Sequence, residues 1–283
     1  MPPSLPETRI IAFTNQAGGA GKSTATVTIG AWLAEFGLKV LVVDLDAQSD
    51  SAQALGYDEP EQMDGQPTLY NLLIGTPGVG IRDTIVPALA GALGAEGTKP
   101  IEGLDILLPS AELESAEQLL TGQLARELWL TKTLAPVADD YDVILLDCPG
   151  NLGLVVVNAL VAAKEVVACV KPTWKELRAL TRIEQTIERI SQSFGPNGAA
   201  PELVGILIAD VPTTRSAGAV YDDSVKQARD AYGDLVLPTI RRSTRVPDSY
   251  AAQKPLPVFD RVAEVTDDFN AVVKALGFAR LKK

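Results

Sequence analysis

Short apolar runs of strand length alternate along this chain with stretches in which apolar residues recur every three or four positions. The strand-like runs are Ile10–Thr14, Val40–Leu45, Leu104–Leu108, Val143–Asp147, Val166–Val170, Leu203–Ile208 and Leu235–Leu237. Helical periodicity fills the intervals near 22–36, 111–134, 152–163, 174–194, 217–231 and 261–276. A strand that is apolar throughout needs cover on both faces, and strand–helix alternation is the pattern of βαβ units. The expected fold class is α/β: a mostly parallel twisted sheet with helices on both faces, in one three-layer domain spanning 1–283. Residues 75–103, rich in Gly, Pro and Ala, read as a loop-heavy insertion with one short helix at most.

Composition narrows the chemistry. None of the 283 residues is histidine, which removes Ser-His-Asp and Cys-His nucleophile systems and histidine metal ligation. Two cysteines, Cys148 and Cys169, are too few for a disulfide framework or a four-cysteine zinc site, so a reducing compartment is expected. The start, MPPSLPETR, lacks the apolar core of a signal peptide, and the apolar stretch 152–163 is too short to span a bilayer. A cytoplasmic location with no membrane partner follows as the expectation. Net charge is −11, but residues 1–170 hold 8 Lys/Arg against 22 Asp/Glu, while residues 171–283 hold 17 against 14. A basic face on the C-terminal part is compatible with that asymmetry.

The strongest local signal lies after the first strand, where RIIAFTN runs into NQAGGAGKST and then into an apolar helix pattern. Gly18, Gly19 and Gly21 let backbone N–H groups turn inward around phosphate oxygens, with Ala20 between them. The helix start adds partial positive charge. Lys22 would reach the outer phosphates, the Ser23 hydroxyl would ligate Mg²⁺, and Thr24 completes the turn. The general pattern G-x-x-x-x-G-K-[ST] is not strictly met, since Gln16 stands at its first glycine.

NQAGGAGKST resembles the deviant phosphate loop, KGGxGK[ST]T, of the ParA/MinD family of P-loop ATPases. VLVVDLDAQSDSAQALG is similar to the family's strand ending in D-x-D-P-Q. YDVILLDCPGNLGLVVVNALVAAKEVV is similar to its Walker B strand, the D-x-P-P-x-L that follows and the N-A-L-x-A-A helix. Weaker echoes are LYNLLIG, GILIAD and IRRSTRVPDSYAAQKPL. The resemblance covers nearly the whole chain, least in 75–103, and plasmid and chromosome partition proteins of the ParA type fit best. It implies ATP and Mg²⁺ as cofactors.

Three carboxylates take roles from this likeness. Asp147 ends an apolar strand beside the expected loop, and the resemblance makes it the Walker B aspartate that holds Mg²⁺. Asp44 and Asp46 flank Leu45, and strand alternation predicts both side chains on one face. The resemblance gives Asp46 the attacking water and Asp44 support of the Mg²⁺ shell. Phosphoryl transfer needs positioning more than a strong base, so the missing histidine is no obstacle.

One departure stands out. The family's signature lysine, which reaches the partner's phosphates in the ATP-bound sandwich dimer, is replaced by Ala17. Either the chain was altered there, or it turns over little, or another lysine substitutes; Lys171 and Lys175 in VKPTWKELRAL are the candidates. The likeness further implies a homodimer with ATP and a monomer otherwise. It also implies non-specific DNA binding by the dimer and stimulation by a ParB-like centromere-binding partner, hence a nucleoid-associated location. Arg215, Arg241, Arg242 and Arg245, with Arg280, Lys282 and Lys283, are the DNA-contact candidates, and phosphate contacts of this kind are salt-sensitive. The phosphate loop begins near residue 15, so no separate N-terminal helix-turn-helix domain is expected. Open alternatives are positioning of a protein cargo such as a carboxysome, a nucleotide-dependent binding module with negligible turnover, and a MinD-like membrane-bound regulator. The C-terminal pattern DDFNAVVKALGFARLKK reads as a helix docking on its own core rather than as a membrane anchor.

Overall fold

A computed structural model describes residues 7–15, 19–59, 63, 65–195, 198–213 and 219–279. Strand β1 (Arg9–Thr14) leads to helix α1 (Lys22–Glu35), β2 (Val40–Asp44) and the short helices α2 (Asp50–Ala54) and α3 (Leu69–Leu73). Next come β3 (Ile85–Ala90), β4 (Lys99–Leu107), α4 (Ala116–Thr121), α5 (Trp129–Leu134), β5 (Val143–Asp147), α6 (Leu154–Ala162) and β6 (Glu165–Val170). The long α7 (Trp174–Phe194), β7 (Glu202–Ile208), α8 (Ala219–Tyr232), α9 (Arg245–Ala251), α10 (Leu256–Phe259) and α11 (Glu264–Ala275) complete the chain.

The strands form one sheet in the order β3-β4-β2-β5-β1-β6-β7, and every neighbouring pair is parallel except β3 and β4. Two apolar layers cover it, as strands buried on both faces require. On one side Ile11, Phe13 and Val42 pack with Trp32 of α1 and Phe269 of α11; on the other Leu41, Ile144 and Leu146 pack with Leu160 of α6 and Leu180 of α7. Helix α11 thus docks on the domain's own core, as its pattern predicts. No helix of the described residues is long and apolar enough to cross a membrane.

Three expectations are corrected. Residues 75–103 hold long turns and one short 3-10 helix, Ile81–Thr84, as expected, but they also hold β3 and the start of β4, an antiparallel pair the reading lacks. Pro87 hides that strand from a propensity reading, but an edge tolerates a residue without an N–H. The run Leu235–Leu237 forms no strand and contributes one parallel bridge, Ile206 to Val236. The expected helix 111–134 is broken: α4 stops at Gly122, and Ala125 takes a left-handed φ of 53° before α5 begins.

Candidate nucleotide-binding site

The site follows from the strand order. Helix α1 carries the chain from β1 past β5 to β2, and the ends of those strands meet in register: Phe13 pairs with Asp147, and Asp147 with Asp44. Ligands of open α/β sheets bind at such carboxyl ends, where the order changes direction. Here the cleft has a volume of about 550 Å³. Its floor is Gly19–Thr24, its flanks are Asp46 and Gly150, and its far wall comes from Asp210, Ile240–Ser243, Val246 and Phe269.

Two glycines are needed by the loop's backbone. Gly19 and Gly21 have φ of 71° and 81°, the left-handed region that side chains resist, and Gly21 caps α1. Lys22 begins α1 and is only 7% exposed. A nearly buried ammonium at a helix N-terminus, beside open backbone, suits a polyphosphate.

The carboxylates separate by depth. Strand alternation ends at Asp44, so the expected common face for Asp44 and Asp46 does not form. Asp44 is fully buried and accepts from the backbone N–H of Asp46 at 3.1 Å and of Ala52 at 3.0 Å. Asp46 lies in the following turn at the cleft surface, where its Oδ1 accepts from the Gln48 N–H at 3.1 Å. Asp147 is fully buried, and its Oδ2 accepts from the Ser51 hydroxyl at 2.7 Å. Burial foremost, with Asp147 close by, pushes the Asp44 carboxyl well above its ordinary range. Burial likewise raises Asp147 to about 6, opposed by bonds from Ser51 and Ser23 and by the nearby Lys22 charge.

Asp147 Oδ1 is buried without a hydrogen-bond partner. An orphaned carboxylate oxygen beside the Ser23 hydroxyl fits a hard divalent cation held by oxygen donors. The described residues contain no group of three acidic, Cys or His side chains for a protein-only metal cage. That suits Mg²⁺, which keeps waters and takes substrate oxygens.

The remaining candidates scatter. Lys171 reaches the loop: its Nζ stands 3.7 Å from where a Cβ on Gly19 would sit. Lys175 instead is exposed on α7. Arg241 and Arg242 line the cleft wall and are tied to carboxylates. Arg241 binds Asp268 through Nε at 2.7 Å and Nη2 at 2.9 Å, and pairs with Glu264. Arg242 binds both oxygens of Asp210, at 2.7 and 3.1 Å. Arg245 pairs with Asp260 at 3.1 Å and Asp248 at 3.6 Å. Ala17, Gly18, Arg215, Arg280, Lys282 and Lys283 lie outside the described residues. Sequence reasoning missed Ser51 and Asp210. Ser51 sits just past the D-x-D motif with no periodic signal of its own, and the left-handed Asp210, φ 64°, shows only in the backbone.

Residues 8–197 match the family model described as an AAA domain. The sporulation initiation inhibitor protein Soj of Bacillus subtilis is 31% identical over 273 residues, covering 95% of this chain and 99% of that protein. The chromosome partitioning protein ParA of Caulobacter vibrioides is 30% identical over 256 residues, covering 89% and 87%. Among solved structures, cobyrinic acid a,c-diamide synthase from Mycobacterium smegmatis with bound ATP analogue and magnesium superposes with a TM-score of 0.70 at 29% identity, covering 87% of this chain and 91% of that one. A complex of Cyanothece McdA with ATP gives 0.79 at 20% identity, covering 98% and 99%, a likeness of fold. By the family model over residues 8–197 and these relatives, the chain belongs to the ParA/MinD family of P-loop NTPases.

Proposed function

We propose that this protein is a ParA-type ATPase that partitions plasmid or chromosomal DNA. The observation that carries the reading is the convergence of Gly19–Thr24 and Asp46 on one cleft at the strand ends, with Asp147 buried beside Ser23. ATP lies along the loop, with backbone N–H groups and Lys22 on its phosphates. Ser23 and Asp147 would hold Mg²⁺, with Asp44 supporting its shell. When bound, the ion neutralises charge that builds on the phosphate oxygens during transfer. Asp46 orients a water whose oxygen bonds to the γ-phosphorus as the bond to the β–γ bridging oxygen breaks. The water's proton passes to solvent or phosphate, and ADP leaves with the electron pair. Lys171, beside Gly19, supplies the cation that Ala17 lacks.

Mg·ATP favours a sandwich dimer, the dimer binds DNA without sequence preference, and a ParB-like partner stimulates hydrolysis, which returns monomers. This is a population switch driven by the dimer's greater affinity for ATP. Steady-state phosphate release, with and without Mg²⁺, random-sequence DNA and Asp46→Ala, tests it. The expected result is Mg²⁺-dependent turnover that DNA modulates and Asp46→Ala abolishes. Confirmed ATP occupancy with no phosphate release under any condition would overturn the ATPase reading and leave a nucleotide-gated binding module.

A further inference from the structure

Helix α7 carries a charged surface that the cleft does not use. Its inner side, Leu177, Leu180, Ile183, Ile187 and Ile190, is buried against the core. On a helix of 3.6 residues per turn, positions 174, 175, 178, 182, 185 and 189 fall within about a 100° arc on the opposite side. All six are exposed, Trp174 at 58%. They are Trp174, Lys175, Arg178, Arg182, Gln185 and Arg189: four cations and one large aromatic in a chain of net charge −11, with no carboxylate among them.

The acids of α7 stand to the side. Glu176 accepts from the Asn15 amide at 3.2 Å, Glu184 from the Tyr232 hydroxyl at 3.2 Å, and the exposed Glu188, at the margin of the stripe, from the Gln192 amide at 3.1 Å. Among the described residues, no carboxylate lies within salt-bridge distance of Lys175, Arg178 or Arg189. The arginines at 241, 242 and 245 differ in kind. Each is held by one or two carboxylates, which a phosphate would have to displace.

We propose that this face of α7 is the principal DNA-backbone contact of the protein, an inference that rests on the DNA-partition reading above. From Lys175 to Arg189 the cations span about 21 Å along a rigid rod. Such a ladder meets a regular phosphate array without reading base edges. A protein partner would need an apolar centre to its interface, and Trp174 alone does not provide one. Duplex DNA is therefore the favoured occupant, and dimerisation doubles the ladder.

The test is fluorescence anisotropy with a random-sequence duplex, using the full chain with no nucleotide, ADP or ATP at several salt concentrations. Dimerisation is followed in parallel by sedimentation. Arg178→Glu/Arg189→Glu changes two exposed positions and is expected to dimerise with ATP yet bind DNA at least tenfold more weakly. Its salt slope should be shallower by about 0.9 for each phosphate that the variant no longer neutralises. Arg245→Ala is expected to weaken binding less than threefold. DNA binding by the α7 variant equal to wild type overturns the proposal while leaving the DNA reading intact. Failure of the variant to dimerise also overturns the proposal, assigning the stripe to the subunit contact. A wild-type ATP dimer that binds no DNA overturns the DNA reading itself, and the proposal with it.

Discussion

Asp147 and Asp44 occupy neighbouring register positions at strand ends, fully buried, so the site stores like-charge repulsion when no cation is present. Burial raises both carboxyls, Asp147 to about 6, above the ordinary 3.8. A raised folded-state value means the folded chain holds more protons than the unfolded chain between the two values. This contribution to stability is therefore fullest at low pH and fades as pH rises through about 6. Asp147→Asn keeps an acceptor for Ser51 while removing one charge. Without Mg²⁺ it is expected to melt at or above wild type at about pH 7.5, by on the order of 1–3 kcal/mol, with the two curves converging only near about pH 4, where the unfolded carboxyl also takes up its proton. Differential scanning fluorimetry across that range checks it, and a variant less stable at the upper pH would sink the argument. Ser51→Ala should do the reverse, stripping a buried charge of its donor at a cost of about 1–3 kcal/mol. The deficit should shrink when Mg·ADP supplies Asp147 with another partner. Lys171→Ala is expected to lower turnover at least tenfold, with partial rescue by Lys171→Arg; wild-type phosphate release from Lys171→Ala would remove Lys171 from the site. The motif residues Lys22, Ser23 and Asp147 were legible because strand, turn and helix start force their spacing. The approach of Lys171 to the loop at Gly19 was not, because it joins segments some 150 residues apart.

At the scale of elements, α2 is the least visible in sequence and among the most connected in the fold. Five residues cannot show a 3.6-residue period, so no pattern announced it. Its first turn carries Ser51 to Asp147 and presents the Ala52 N–H to Asp44. From the other side the Tyr250 hydroxyl of α9 bonds to Asp50 at 3.2 Å and to Gln53. Helix α9 directly follows the segment Ile240–Ser243 that walls the cleft. Helix α2 thus bridges the deep carboxylates and the far wall. Tyr250→Phe deletes that hydroxyl without changing the ring. Hydrogen exchange over 48–55 should accelerate several-fold while global stability falls by less than about 1 kcal/mol, since the bond is partly exposed. Unchanged exchange would mean that α2 is held by Ser51 and Ala52 alone. Strand β3 and the start of β4 escaped the sequence reading for a different reason. Strand β3 lies at the sheet edge beside β4, and Pro87 and the half-exposed start of β4 obscure the apolar signal that revealed the central strands.

For the whole molecule, charge sets two steps of the proposed cycle against each other. Each chain carries −11, so two chains brought face to face repel, and screening should help them associate. Contacts between the α7 cations and DNA phosphates release counterions and weaken steeply as salt rises. The two affinities should therefore move in opposite directions. With ATP, Mg²⁺ and Asp46→Ala to prevent turnover, sedimentation equilibrium between about 50 and 300 mM KCl should show the dimer tightening or holding steady. Over the same range, the anisotropy-measured affinity of that dimer for duplex DNA should fall by more than tenfold, as expected for several phosphate contacts. DNA occupancy at fixed protein concentration then peaks at intermediate salt: below the peak too few dimers exist, and above it each dimer grips too weakly. A dimer that loosens with salt in parallel with DNA binding would show that opposite charges join the subunits. The acidic N-terminal half, −14 over residues 1–170, would then face the basic remainder of its partner, and the exposed stripe of α7 would be the first place to look for that contact.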